Sequence, residues 1–87
     1  MLLPMERGKR RSVVHSQDYQ YLLKRLRQAR AKAGLTQVQV ARALGKPQSY
    51  VTKCELGERR IDPIDLQQFA RLYRKPFAYF LPPTSDS

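Results

Sequence analysis

At 87 residues the chain is long enough for one domain with a modest core. One cysteine rules out an internal disulfide framework, and with one histidine it rules out a Cys/His zinc site. Lysine and arginine total 17 against 7 carboxylates, a net charge of +10 that favours polyanionic partners, and no apolar run approaches a membrane span.

The opening MLLPME is cut short by Pro4 and is too brief for a signal-peptide core. Residues 1–16 lack sustained periodicity and carry Arg7, Lys9, Arg10 and Arg11, which predicts a flexible basic arm. Its RGKRR run suits either insertion into a nucleic-acid groove or a solvated tail. His15, beside that run and without a carboxylate neighbour, reads as a surface residue.

A first helix is expected from Ser16 or Asp18, either of which suits an N-cap. Leu22, Leu26, Ala29 and Ala33 follow the i, i+4, i+7, i+11 spacing of an apolar stripe, and Gly34 suits its end. Lys24, Arg25, Arg27, Arg30 and Lys32 load this helix with charge, and Lys24, Arg25 and Lys32 read as a solvated face adding long-range attraction only. Thr36 caps a second helix with Val40, Ala41 and Leu44 on one side, and Gly45 closes it. Pro47 opens a third where a missing N–H costs little, and Gly57 ends it. Asp62, Pro63 and Asp65 mark the start of a fourth, on which Leu66, Phe69, Ala70 and Tyr73 share a face. Pro76 breaks that pattern, FAYFL is apolar enough for a short final helix, and Pro82 and Pro83 stop it. The expectation is an all-α domain over residues 17–82, between the arm and a polar tail at 83–87.

The third helix is the informative one. Between Gln48 and Glu55 only Val51 and Cys54 are clearly apolar, three apart and so on one face, whereas Gln48, Ser49, Thr52 and Lys53 point elsewhere. A short helix held by one buried face, and joined to its predecessor by a tight turn at Gly45, has the geometry of a helix-turn-helix over 36–56. Glutamine is shaped to read adenine, lysine suits guanine, and serine and threonine adapt to either. Cys54 reads as a small core hydrophobe. The aromatic residues late in the chain read mostly as core, with some of Phe77, Tyr79 and Phe80 left for a contact between two copies.

RLRQARAKAGLTQVQVARALGKPQSYVTKCELGERR resembles the lambda-repressor/Cro-like (xenobiotic response element) helix-turn-helix family, with GLTQ, VARALG, QSYVTK and ELGERR at the family's spacing. The likeness runs from about Tyr19 to Leu81 and implies a compact five-helix fold. It implies base-reading roles for Gln48, Ser49, Thr52 and Lys53, and phosphate contacts for Gln37, Lys46, Tyr50, Arg59 and Arg60. Gln37 would also steady the first residue of the third helix, and Tyr50 would donate its hydroxyl. Arg30 and Glu55 match a pair that locks the first helix to the third. Pro47 departs from the family's Ser/Thr cap, Cys54 from a larger aliphatic residue, and Arg74 from a helix-ending glycine.

The function expected is sequence-specific binding of double-stranded DNA by a cytoplasmic, repressor-like regulator, dimeric on a short operator. A second reading is an antitoxin-like adaptor whose main role is to bind a partner protein. No cofactor, metal or membrane association is expected. The lone His15 and the absence of a Ser–His–Asp or His–Cys set argue against an enzyme, and the lack of aromatic residues suited to base stacking on the third helix argues against single-stranded RNA.

Overall fold

In a computed structural model of the chain, which describes residues 16–83, it is Ser16 and not Asp18 that caps the first helix: its Oγ accepts from the Tyr19 amide at 3.1 Å. This helix, α1, spans Gln17–Lys32. It is followed by α2 (Gln37–Leu44), α3 (Gln48–Leu56) and α4 (Pro63–Tyr73), and by one 3-10 turn at Phe77–Phe80. Among the described residues there is no strand. The short final helix is thus a single 3-10 turn, capped by Pro76 and followed by Pro82 and Pro83, which leave no room for a longer one. Residues 1–15 of the expected arm, with His15, and residues 84–87 lie outside the described residues.

The caps explain where the elements begin. Thr36 accepts from the Gln39 amide at 3.1 Å while Gln39 Oε1 accepts from the Thr36 amide at 2.9 Å, a reciprocal box at the start of α2. Asp62 and Asp65 make the same arrangement at α4, with Pro63 in the first turn. Gly45 and Gly57 close α2 and α3 in the left-handed region. Arg74 takes the same conformation at the end of α4, at φ 59° and ψ 47°, without a glycine's freedom.

The core gathers where α1 meets the other elements. Leu23, Leu26 and Ala29 are sealed there, so Leu23 joins the expected stripe. Ala33 leaves it: it caps the helix end and is exposed, because the chain turns away at Gly34. Phe69 is fully buried, stacked at 6.3 Å from the Tyr50 ring and 6.0 Å from the Tyr73 ring. A buried phenylalanine contributes about 1.5–3 kcal/mol by removal from water alone, and the Tyr50–Phe69 stack carries part of that across from α4 to α3. The Tyr19 hydroxyl accepts from the Ile61 amide at 3.0 Å and ties the start of α1 to the α3–α4 loop.

Candidate nucleic-acid interface

α3 has a weak beginning and a strong end. Pro47 stands at its N-cap, one position before the first turn, and offers no side-chain acceptor to the first amides. A missing cap costs about 1 kcal/mol. Against this, Val51 and Cys54 are fully buried as expected, and Tyr50 and Glu55 are buried beside them at 8% and 2% exposure.

Among the described residues Glu55 is the only charged one that is buried. Its Oε2 accepts from Arg30 Nε at 2.6 Å, and its Oε1 accepts from Arg30 Nη2 at 3.2 Å and from Gln37 Nε2 at 2.9 Å. The forked guanidinium matches the carboxylate in bidentate fashion, and this hydrogen bonding holds the Arg30 pKa above its ordinary value. Arg30 also donates to the Leu35 carbonyl at 3.1 Å, and Arg27 Nη1 donates to the Glu55 carbonyl at 3.0 Å. One carboxylate therefore fastens α3 to both α1 and α2.

Gln37 completes the cluster. Its Oε1 accepts from the Thr52 hydroxyl at 2.6 Å, so one amide links Thr52 to Glu55. Among the described residues no hydrogen bond joins it to Gln48, the first residue of α3. Thr52 is half-buried and turned toward α2, with its hydroxyl proton spent on Gln37. In this conformation it acts on the site through Gln37.

Tyr50 also differs from its expected place. Its hydroxyl is shielded from solvent and not presented to a phosphate. Burial, with Cys54 and Asp65 close by, pushes its pKa from 10.0 up to about 12. Its ring instead carries two of the other candidates: Lys46 Nζ lies 5.1 Å and the Arg59 guanidinium 4.9 Å from the ring centroid. Each such contact is worth about 0.5–1 kcal/mol at an exposed site, enough to bias where a long cation rests. Burial likewise pushes the Cys54 thiol up, as suits an unreactive core residue.

Gln48, Ser49 and Lys53 on α3, and Lys46, Arg59 and Arg60 around it, are all exposed. A cleft of about 250 Å³ lined by Val38, Ala41, Arg42, Lys46 and Gln48 opens beside the start of the helix. The structure thus brings six of the nine candidate contact residues to the surface and leaves Gln37 and Thr52 half-buried and Tyr50 in the core. Sequence reasoning missed the Arg27 bond to Glu55. The signal was its i, i+3 spacing to Arg30, which puts both on one flank of α1. Arg25 was expected in a solvated face, yet it donates to the Tyr79 carbonyl at 2.9 Å and stacks on that ring.

No group of His, Cys, Asp or Glu among the described residues is arranged to hold a metal ion, and none of their helices is long and apolar enough to cross a membrane. A family model described as helix-turn-helix matches residues 26–80, well over half of the chain. No curated protein matches it.

Proposed function

The chain belongs to the Cro/C1-type helix-turn-helix family of DNA-binding transcription regulators, and on that premise we propose that α3 reads a short operator in the DNA major groove. One observation supports this above the rest: Tyr50, Val51, Cys54 and Glu55 of α3 are buried on one face and locked through Glu55, while Gln48, Ser49 and Lys53 are exposed away from it. A reading helix needs that division, because side chains specify bases only when the helix bearing them is held in register.

Gln48 and Lys53 are the leading base readers in this proposal, and Ser49 is an adaptable neighbour. Lys46, Arg59 and Arg60 take phosphates, with Tyr50 as the platform that positions the first two. Gln37, at the N-terminus of α2, has its second amide proton available for a phosphate while its oxygen holds Thr52. The cations supply most of the affinity and its salt dependence. Two copies bind half-sites roughly 34 Å apart, and occupancy of the operator represses by excluding other proteins.

Selection from a random duplex library tests this directly. An enriched, partly palindromic site protected by two copies of the chain is the expected outcome. Recovery of no common sequence at moderate salt would remove the operator reading and leave only charge-driven binding.

A further inference from the structure

Three cations converge on one ring in the final turn. The Arg25 guanidinium carbon lies 3.7 Å from the Tyr79 ring centroid, with Lys75 Nζ at 4.9 Å and Lys32 Nζ at 5.9 Å. Arg25 is fixed in place by its bond to the Tyr79 carbonyl. Among the described residues the one ion pair is Arg30 with Glu55, so none of these three cations is matched by a carboxylate. Two residues to either side of Tyr79, Phe77 and Leu81 are 42% and 41% exposed.

This surface is separate from the reading face. Arg25 and Lys32 are seven residues apart and share one flank of α1, against the final turn. Arg27 and Arg30 bond to Glu55 of α3 from the opposite flank, about 180° round the same helix. A duplex lying against the outer face of α3 has α1 between it and this cluster.

We propose that the Arg25–Lys32–Lys75 cluster, with Phe77 and Leu81, is a docking surface for an acidic, apolar-bearing segment of a partner protein. Crowded like charges repel one another, and carboxylates laid among them remove that cost. Charge complementarity alone would admit a phosphodiester backbone. That polymer, however, satisfies the cations and leaves Phe77 and Leu81 in water, whereas an acidic segment with leucine or phenylalanine covers both. A second copy of this chain is a poor occupant, because a two-fold contact through this patch sets the three cations against themselves. The inference does not rest on the operator proposal, since it uses none of the same side chains.

The test uses the full chain and two fluorescein-labelled synthetic peptides of equal charge, one of Glu-Glu-Leu repeats and one of glutamate alone. Wild-type protein should bind the leucine-bearing peptide more tightly. The pair Lys32→Gln/Lys75→Gln should weaken that binding about tenfold or more. Lys24→Gln/Arg42→Gln, with the same loss of charge elsewhere, should change it less than about threefold. Phe77→Ser/Leu81→Ser keeps every cation and should erase the preference for leucine, with circular dichroism confirming that each variant is folded. Equal losses in the two charge pairs would reduce the effect to net charge and overturn the site. So would equal binding of the two peptides by wild-type protein, or no binding of either. If Lys32→Gln/Lys75→Gln weakens binding of an arbitrary duplex as much as it weakens the peptide, the surface belongs to nucleic acid and the proposal fails.

Discussion

Replacing Arg30 by methionine isolates what the buried carboxylate does. The substitution keeps an unbranched stem of similar reach and removes both guanidinium bonds, at 2.6 and 3.2 Å, from a Glu55 that is 2% exposed. One neutral donor, Gln37 Nε2 at 2.9 Å, is left to a buried anion. Breaking a buried pair in this way costs about 3–5 kcal/mol. A chain of 87 residues has about 4–13 kcal/mol in all, so Arg30→Met should lose a large share of its stability in a urea titration followed by circular dichroism. Arg30→Met/Glu55→Leu removes both charges and should recover most of that loss, since a well-packed apolar pair often matches or exceeds a buried ion pair. The recovered variant should still bind DNA poorly, because the bonds from Glu55 that orient α3 are gone. A loss below about 1 kcal/mol for Arg30→Met, the worth of a surface pair, would mean that Glu55 is not buried as described. Full operator affinity in the double variant would refute the orienting role.

Gln48→Ala should cost on the order of 1–3 kcal/mol at one base pair and relax discrimination there, while Arg60→Ala should weaken all sequences alike and lower the salt slope by about one. An even loss for the first, or a sequence-dependent one for the second, contradicts the assigned roles. Arg74→Gly should stabilise the domain by about 1 kcal/mol, read as a higher urea midpoint, because Arg74 sits at φ 59° where a side chain is disfavoured. A lower midpoint would show that the arginine side chain contributes more than its backbone costs. Alkali should destabilise the fold between about pH 10 and about 12: Tyr50 keeps its proton to the higher value when folded and releases it at the lower one when unfolded, so its contribution is complete below pH 10 and declines above. Burial shifts Tyr73 in the same direction. Tyr50→Phe should flatten part of this decline, and an unchanged pH profile would remove Tyr50 as its source.

Apolar spacing made the helices legible, because α1 and α4 each bury one stripe and carry their caps in plain view at Ser16, Asp62 and Pro63. The third helix, α3, was harder for a geometric reason. Val51 and Cys54 mark the centre of its buried face, but that face is wide and takes in Tyr50 and Glu55 as well. Tyr50 lies four residues before Cys54, a spacing that would have placed it inward, yet a phenol is amphipathic and suits either side. Thr52 lies three residues before Glu55 at the border of the face, where only the position of Gln37 decides which way its hydroxyl turns. Arg25 could not be placed from sequence at all, since its partner is a backbone carbonyl 54 residues later.

The same width explains how α3 stands without a cap. Losing a side-chain acceptor at Pro47 costs about 1 kcal/mol, but proline also fixes its own φ and so stabilises the fold by about 0.4–1 kcal/mol through the unfolded chain. The two effects nearly cancel. Fully burying Val51 contributes about 1.5–3 kcal/mol more, and the bonds to Glu55 anchor the far end of the helix. α3 is therefore fastened along its side and at its C-terminal end, and its first turn carries the least constraint. Gln48 and Ser49 stand in that turn. On the proposed reading, the side chains that would adapt to base edges are placed where adaptation disturbs the core least, while Lys53, one turn later, projects from the part of the helix that Glu55 and Val51 hold still.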